Sequence, residues 1–166
     1  MVLSFKKWLI PLLLIFAFLV YYNMYRVAPG ITLEELTFKN LDGSTFSKTE
    51  LEGKTVFLNV MATWCGPCIA ELPSIENAKK ALEGENIEFL IVSDENLPLL
   101  QKFKQRFPYS YTYLQMQEKR EKLGIRTIPT TYIFNSKGEV IFKKIGSIEW
   151  NAPKNIEMIK ELIAEN

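Results

Sequence analysis

The sequence predicts an α/β fold, with a mixed sheet covered by helices in three layers and an N-terminal transmembrane helix ahead of it. Three observations predict this. Short apolar runs suited to buried strands alternate with segments of helical spacing. A turn signal, Asn135-Ser136-Lys137-Gly138, joins two late strand-like runs into an antiparallel hairpin. Near the N-terminus, no residue from Trp8 to Tyr25 is charged.

That uncharged run would span roughly 27 Å as a helix, close to the hydrocarbon thickness of a bilayer. Trp8 stands at one end, and Tyr21, Tyr22 and Tyr25 at the other, as interfacial aromatics do. A cleaved signal peptide is disfavoured by the bulky exit Tyr22-Asn23-Met24-Tyr25-Arg26, and no cysteine follows as a lipoprotein signal requires. A buried core helix would not open with Lys6-Lys7 and then lack polar residues for so long. Residues 1–26 therefore read as an uncleaved anchor. Lys6 and Lys7 stay on the cytoplasmic side and the rest of the chain lies outside, in a periplasm or its equivalent, although Arg26 on the far side weakens the charge bias.

Residues 27–34, with Pro29 and Gly30, read as a linker, and 35–166 as one domain with a real core. Leu36–Phe38 and Ser44–Phe46 suit a small hairpin around Leu41-Asp42-Gly43. Val56–Met61 and Ile87–Val92 are apolar runs for buried strands. Leu72, Ile75, Ala78 and Leu82 keep helical spacing, as do Leu97, Leu100, Phe103 and Phe107, whose stripe reads as core. Tyr109–Leu114 reads as extended, with Tyr109, Tyr111 and Tyr113 on one strand face. Glu118–Leu123 reads as a short helix with a solvated charged face. Thr130–Phe134 and Val140–Ile145 flank the late hairpin turn, and Ile156, Ile159, Leu162 and Ile163 mark a closing amphipathic helix.

Composition narrows the chemistry. The 166 residues are 48% apolar with a net charge of +1 and no histidine. Collagen-like and low-complexity classes are excluded, and near-neutral charge gives no nucleic-acid footprint. That average joins an anchor with three cations to a remainder carrying 17 basic and 19 acidic side chains. Without histidine there is no histidine-assisted nucleophile and no zinc site that relies on histidine. Two cysteines cannot supply four thiolates for zinc or an iron–sulfur cluster.

Both cysteines fall in Trp64-Cys65-Gly66-Pro67-Cys68, after a strand and at the start of a helix. Half a zinc site shared with another chain, a purely structural local disulfide, two inert thiols and a redox pair are all formally open. The chemistry favours the last. Disulfide exchange passes through a mixed disulfide, and a second thiol must then reach the first sulfur to release the substrate. Two intervening residues across a helix start bring the sulfurs within bonding distance. Unpaired helix N–H groups and the positive end of the dipole lower the first thiol's pKa. Cys65 is thus the attacking cysteine and Cys68, one turn in, the resolving one. Pro67 fits helix initiation.

The motif WCGPC resembles the active site of thioredoxin. Ile128-Pro129-Thr130 resembles the family loop that carries a cis-proline opposite the cysteines, and Pro73 resembles the proline of the active-site helix. The resemblance covers about residues 35–166. More narrowly, the chain is similar to the membrane-anchored TlpA/ResA-type thiol–disulfide oxidoreductases. It shares their N-terminal anchor, an extra helix and strand between Cys68 and Pro129, Asn59 where thioredoxin has a buried aspartate, and Glu71 at the place of an active-site glutamate. The dipeptide Gly66-Pro67 is not that of ResA, so a redox potential does not carry over.

The resemblance implies that Cys65 and Cys68 carry the chemistry with no cofactor beyond their own redox-active disulfide. Glu71, on the helix face of Cys68, accepts or donates a proton while Cys68 attacks, a job thioredoxin gives to its buried aspartate, with a solvated helix glutamate as the other reading. Asn59 is either a buried polar group near the site or an incidental strand residue, and it cannot act as a base. Pro129 and Ile128 hold substrate backbone beside Cys65. Trp64, Gly66 and Pro67 form the contact surface, with a core position as the other reading for Trp64. The implied partners are client proteins with disulfides, apocytochrome c before haem attachment among them, and a transmembrane thiol electron donor. An oxidase or isomerase remains the alternative within the chemistry, and an anchored binding or chaperone domain the alternative outside it.

Overall fold

The computed structural model describes residues 3–165, with side chains described from Trp8 onward. The first helix, α1 (Leu3–Arg26), contains a stretch, Trp8–Arg26, that is long and apolar enough to cross a membrane, with mean hydropathy 1.8 and no part of it buried against the domain. The side chains of Lys6 and Lys7, which the charge argument uses, lie outside the described ones.

The remaining elements are β1 (Phe38–Lys39), β2 (Thr55–Val60), α2 (Gly66–Ala81), β3 (Ile87–Ser93), α3 (Leu97–Arg106), β4 (Thr112–Met116), β5 (Thr130–Phe134), β6 (Val140–Ile145) and α4 (Pro153–Ala164). Six strands form one mixed sheet in the order β1-β4-β3-β2-β5-β6. β2, β3 and β4 run parallel, whereas β1, β5 and β6 are antiparallel to their neighbours. Every residue of β2 is buried, as suits a mainly apolar central strand covered on both faces, with Thr55 and Asn59 its buried polar exceptions.

Alternation along β2 divides the core. Phe57 faces a cluster with Leu72, Ile75 and Ala78 of α2, Phe103 of α3 and Ile159 of α4. Val56, Leu58 and Val60 face the other cluster, closed by Ala28, Ile31, Leu33, Leu36, Phe46, Leu51 and Ile125. The third layer is thus built from 3₁₀ turns (Leu33–Glu35 and Lys48–Leu51) and loops. Ala28, Ile31 and Leu33, within the segment expected as a linker, are buried in this core.

The expected helix at Glu118–Leu123 is not formed. The chain there makes successive turns, with Ile125 N–H donating to Arg120 O, and Gly124 ends them at φ +77°. Lys119, Glu121 and Lys122 are exposed, but two of its charges are half-buried and engaged elsewhere. Glu118 accepts from the Thr37 N–H and hydroxyl, and Arg120 reaches Asp94. These distant partners hold the backbone in a loop that local spacing cannot foresee. The small first hairpin survives as β1 and a single bridge from Lys39 to Thr45.

Candidate active site

The carboxyl end of β2 delivers Thr63, Trp64 and Cys65 to the start of α2. Cys65 is the helix N-cap, and its Sγ accepts from the Cys68 N–H at 3.3 Å. Pro67 occupies the first turn, where its missing N–H would have no helical partner. Cys65 and Cys68 are joined in a disulfide. Cys65 is 5% exposed and Cys68 wholly buried, while Gly66 and Pro67 stand in solvent. The Ser147 hydroxyl donates to the Pro67 carbonyl at 3.1 Å. Further along α2, Pro73 removes the N–H that would meet the Ile69 carbonyl.

The Ile128–Pro129 peptide bond is cis. Its loop enters β5 at Thr130, which pairs with Val60 at the end of β2, so the loop adjoins the segment that carries Cys65. Ile128 packs against the core cluster that contains both cysteines.

Glu71 lies one turn beyond Cys68 and is 3% exposed, so it is not a solvated helix residue. Its Oε1 accepts from the Ile148 N–H at 3.0 Å and the Trp150 indole N–H at 2.6 Å, and its Oε2 accepts from Asn59 Nδ2 at 3.2 Å. Burial pushes the carboxyl above its ordinary pKa, and these three donors only partly oppose that. Asn59 is buried and also donates to Thr131 Oγ1 at 2.9 Å. It therefore belongs to a polar network and is not an incidental strand residue. A cleft of about 540 Å³ lined by Pro73, Ser74, Ser147 and Ile148 opens beside Glu71.

The family model for redoxins matches residues 28–159. This chain belongs to the redoxin family. Among its relatives, thiol-disulfide oxidoreductase ResA of Halalkalibacterium halodurans is 31% identical over 126 residues, covering 74% of this chain and 72% of that one. Thioredoxin-like protein YneN of Bacillus subtilis is 30% identical over 162 residues, covering 86% and 92%. Among solved structures, StoA from Bacillus subtilis superposes with a TM-score of 0.57 at 24% identity, covering 81% and 96%. A thiol:disulfide interchange protein from Chlorobium tepidum gives 0.60 at 24%, covering 79% and 93%. These structures share the thioredoxin-like fold.

In this redoxin Trp64 is 67% exposed, so it is a surface ring and not a core aromatic. The Arg120 guanidinium lies 5.8 Å from the ring centroid, and its Nη1 donates to the buried Asp94 at 2.6 Å. Next door, Glu95 accepts from the Thr63 N–H at 2.6 Å and hydroxyl at 2.8 Å. The end of β3 thus braces the turn that presents Cys65.

Of the residues singled out in the sequence, the fold sets Cys65, Cys68 and Glu71 at the start of α2 and the Ile128–Pro129 loop next to the segment that carries Cys65. Sequence reasoning missed Trp150, Ile148, Arg120 and Asp94. The only local signal was a lone tryptophan in the polar run Glu149-Trp150-Asn151 ahead of α4. Among the described residues, no group of three or more Cys, Asp or Glu side chains is arranged to hold a metal ion.

Proposed function

We propose that this redoxin is a membrane-anchored thiol–disulfide oxidoreductase that reduces disulfides of client proteins outside the cytoplasm. The observation that carries the reading is the Cys65–Cys68 pair at a helix N-terminus, with the buried Glu71 one turn beyond it.

The reduced Cys65 thiolate, stabilised by helix N–H groups, attacks a client sulfur. The client disulfide breaks, its first thiolate leaves, and a mixed disulfide forms. Cys68 gives its proton to Glu71 and attacks Cys65 Sγ. The second client sulfur leaves with the electron pair, and the redoxin is left oxidised with the client reduced by two electrons. A carboxylate with a raised pKa is a better base than an exposed one, which suits Glu71 to this transfer. Trp64, Gly66 and Pro67 form the exposed contact rim, and Ile128 and Pro129 hold client backbone beside Cys65.

The α1 helix anchors the domain, with Lys6 and Lys7 on the cytoplasmic side. Re-reduction falls to a transmembrane thiol donor, because soluble cytoplasmic reductants cannot reach the site. Apocytochrome c before haem attachment is a fitting client, and the relatives named thiol-disulfide oxidoreductase ResA support the activity itself.

The reduction potential tests the direction of flow. A value near that of thioredoxin, about −270 mV, is expected, whereas one near about −120 mV would make the protein an oxidant and end the reductase reading.

A further inference from the structure

A cavity of about 350 Å³ opens where α1 leaves the domain, lined by Tyr22, Arg26, Val27, Ala28, Lys143, Lys144 and Ile145. Three of these residues are cations and none is acidic. Among the described residues, Arg26, Lys143 and Lys144 have no ion-pair partner. Uncompensated positive charge gathered around one concavity is a site for an anion.

The location indicates which anion. Trp8–Arg26 covers 19 residues, about 28 Å of helix, so Arg26 emerges at the level of the lipid headgroups if Trp8 marks the opposite interface. Tyr22, one turn earlier, fits the interfacial belt. β6 is fixed at the same height, because Lys143 Nζ donates to the Ala28 carbonyl at 2.8 Å, two residues beyond the helix.

We infer that Arg26, Lys143 and Lys144 bind the phosphate of an anionic lipid headgroup and so dock the domain on the bilayer surface. The inference rests on the anchoring reading above. It has a consequence for the site. The Thr127 hydroxyl, beside the cis peptide bond, donates to the Tyr25 carbonyl at 3.2 Å, and the Gly146 N–H, at the end of β6, donates to the Pro129 carbonyl at 2.8 Å. A headgroup held by Lys143 and Lys144 therefore sets the height of the proline loop, keeping Cys65 near the plane where a transmembrane thiol donor would present its cysteines.

Hydrogen exchange of the full chain in nanodiscs tests this. β6 is the edge strand, so its amides facing away from β5 are protected only if something covers them. In discs containing phosphatidylglycerol, exchange across residues 140–146 should be about tenfold slower than in pure phosphatidylcholine discs. Lys143→Ser with Lys144→Ser should abolish the difference, and Lys143→Arg with Lys144→Arg should retain it, both with insulin reduction intact. Equal exchange in the two lipids, with the chain incorporated in both, would overturn the inference. Equal protection from inorganic phosphate added to phosphatidylcholine discs would overturn the lipid as the source. Failure of the chain to enter either disc would instead overturn the anchor.

Discussion

Trp150 donates its indole N–H to Glu71 Oε1 at 2.6 Å, across 79 residues of sequence. The ring is wholly buried, packed edge-on against Phe57 at 4.7 Å between centroids. The contact ties the segment before α4 to the active-site helix and gives a buried carboxylate one of its donors.

Trp150→Phe keeps most of the ring packing and removes the donor. Hydrogen bonds to charged groups contribute about 1.5–3 kcal/mol, so a loss of that order is expected where Glu71 is ionised, and less where it is protonated. Because the indole bond lowers the Glu71 pKa, its loss raises that pKa further. The acid limb of the exchange rate should move to higher pH, as read by insulin reduction across a pH series.

Glu71→Gln removes the proton acceptor while keeping the shape. Resolution of the mixed disulfide should slow about a hundredfold near neutral pH and lose the limb that Glu71 titration produces. Stability gives an independent readout. Glu71 has a raised folded pKa, so its contribution is fully present below the ordinary carboxylate range and is lost as pH rises through the folded value. The glutamine has no such loss, so urea melts should show the variant gaining on the parent as pH rises. A constant difference between pH 4 and 8 would reject a raised pKa.

Asn59→Asp would set a second buried carboxyl where Nδ2 now lies 3.2 Å from Glu71 Oε2. Two carboxylates that close cannot both ionise, so one proton is retained to higher pH. Thermal melts should show a deficit of several kcal/mol at pH 7 that shrinks on acidification.

Arg120→Gln strips the buried Asp94 of its guanidinium, with Lys119 left at 3.8 Å. A loss of about 2 kcal/mol is expected in urea melts. The Trp64 ring loses its cationic neighbour, so a parent reduced to Trp64 alone by phenylalanine replacement elsewhere should show lower fluorescence anisotropy once Arg120 is changed.

Local sequence revealed what is set locally. The mainly apolar runs of β2 and β3 suited central strands, and the CxxC spacing belongs to a helix start. Glu71 stood out through its match to the glutamate of the TlpA/ResA-type resemblance, and its i+3 offset from Cys68 puts the two on one face. Its environment was not legible, since Trp150, Ile148 and Asn59 reach it from two other segments. The error at Glu118–Leu123 has the same origin. Asp94 and Thr37 claim Arg120 and Glu118 from outside, and Gly124 closes the turn, so charge spacing alone suggested a helix that the fold does not build.

The central claim is that Cys65 attacks client disulfides and Cys68 releases them. Cys68→Ser in the full chain, expressed in membranes and analysed on non-reducing gels, tests it most directly. The account predicts mixed disulfides through Cys65 to proteins outside the cytoplasm, released by dithiothreitol and absent when Cys65 is also replaced by serine. A Cys68→Ser protein that folds, keeps a free Cys65 thiol and traps no client would contradict it.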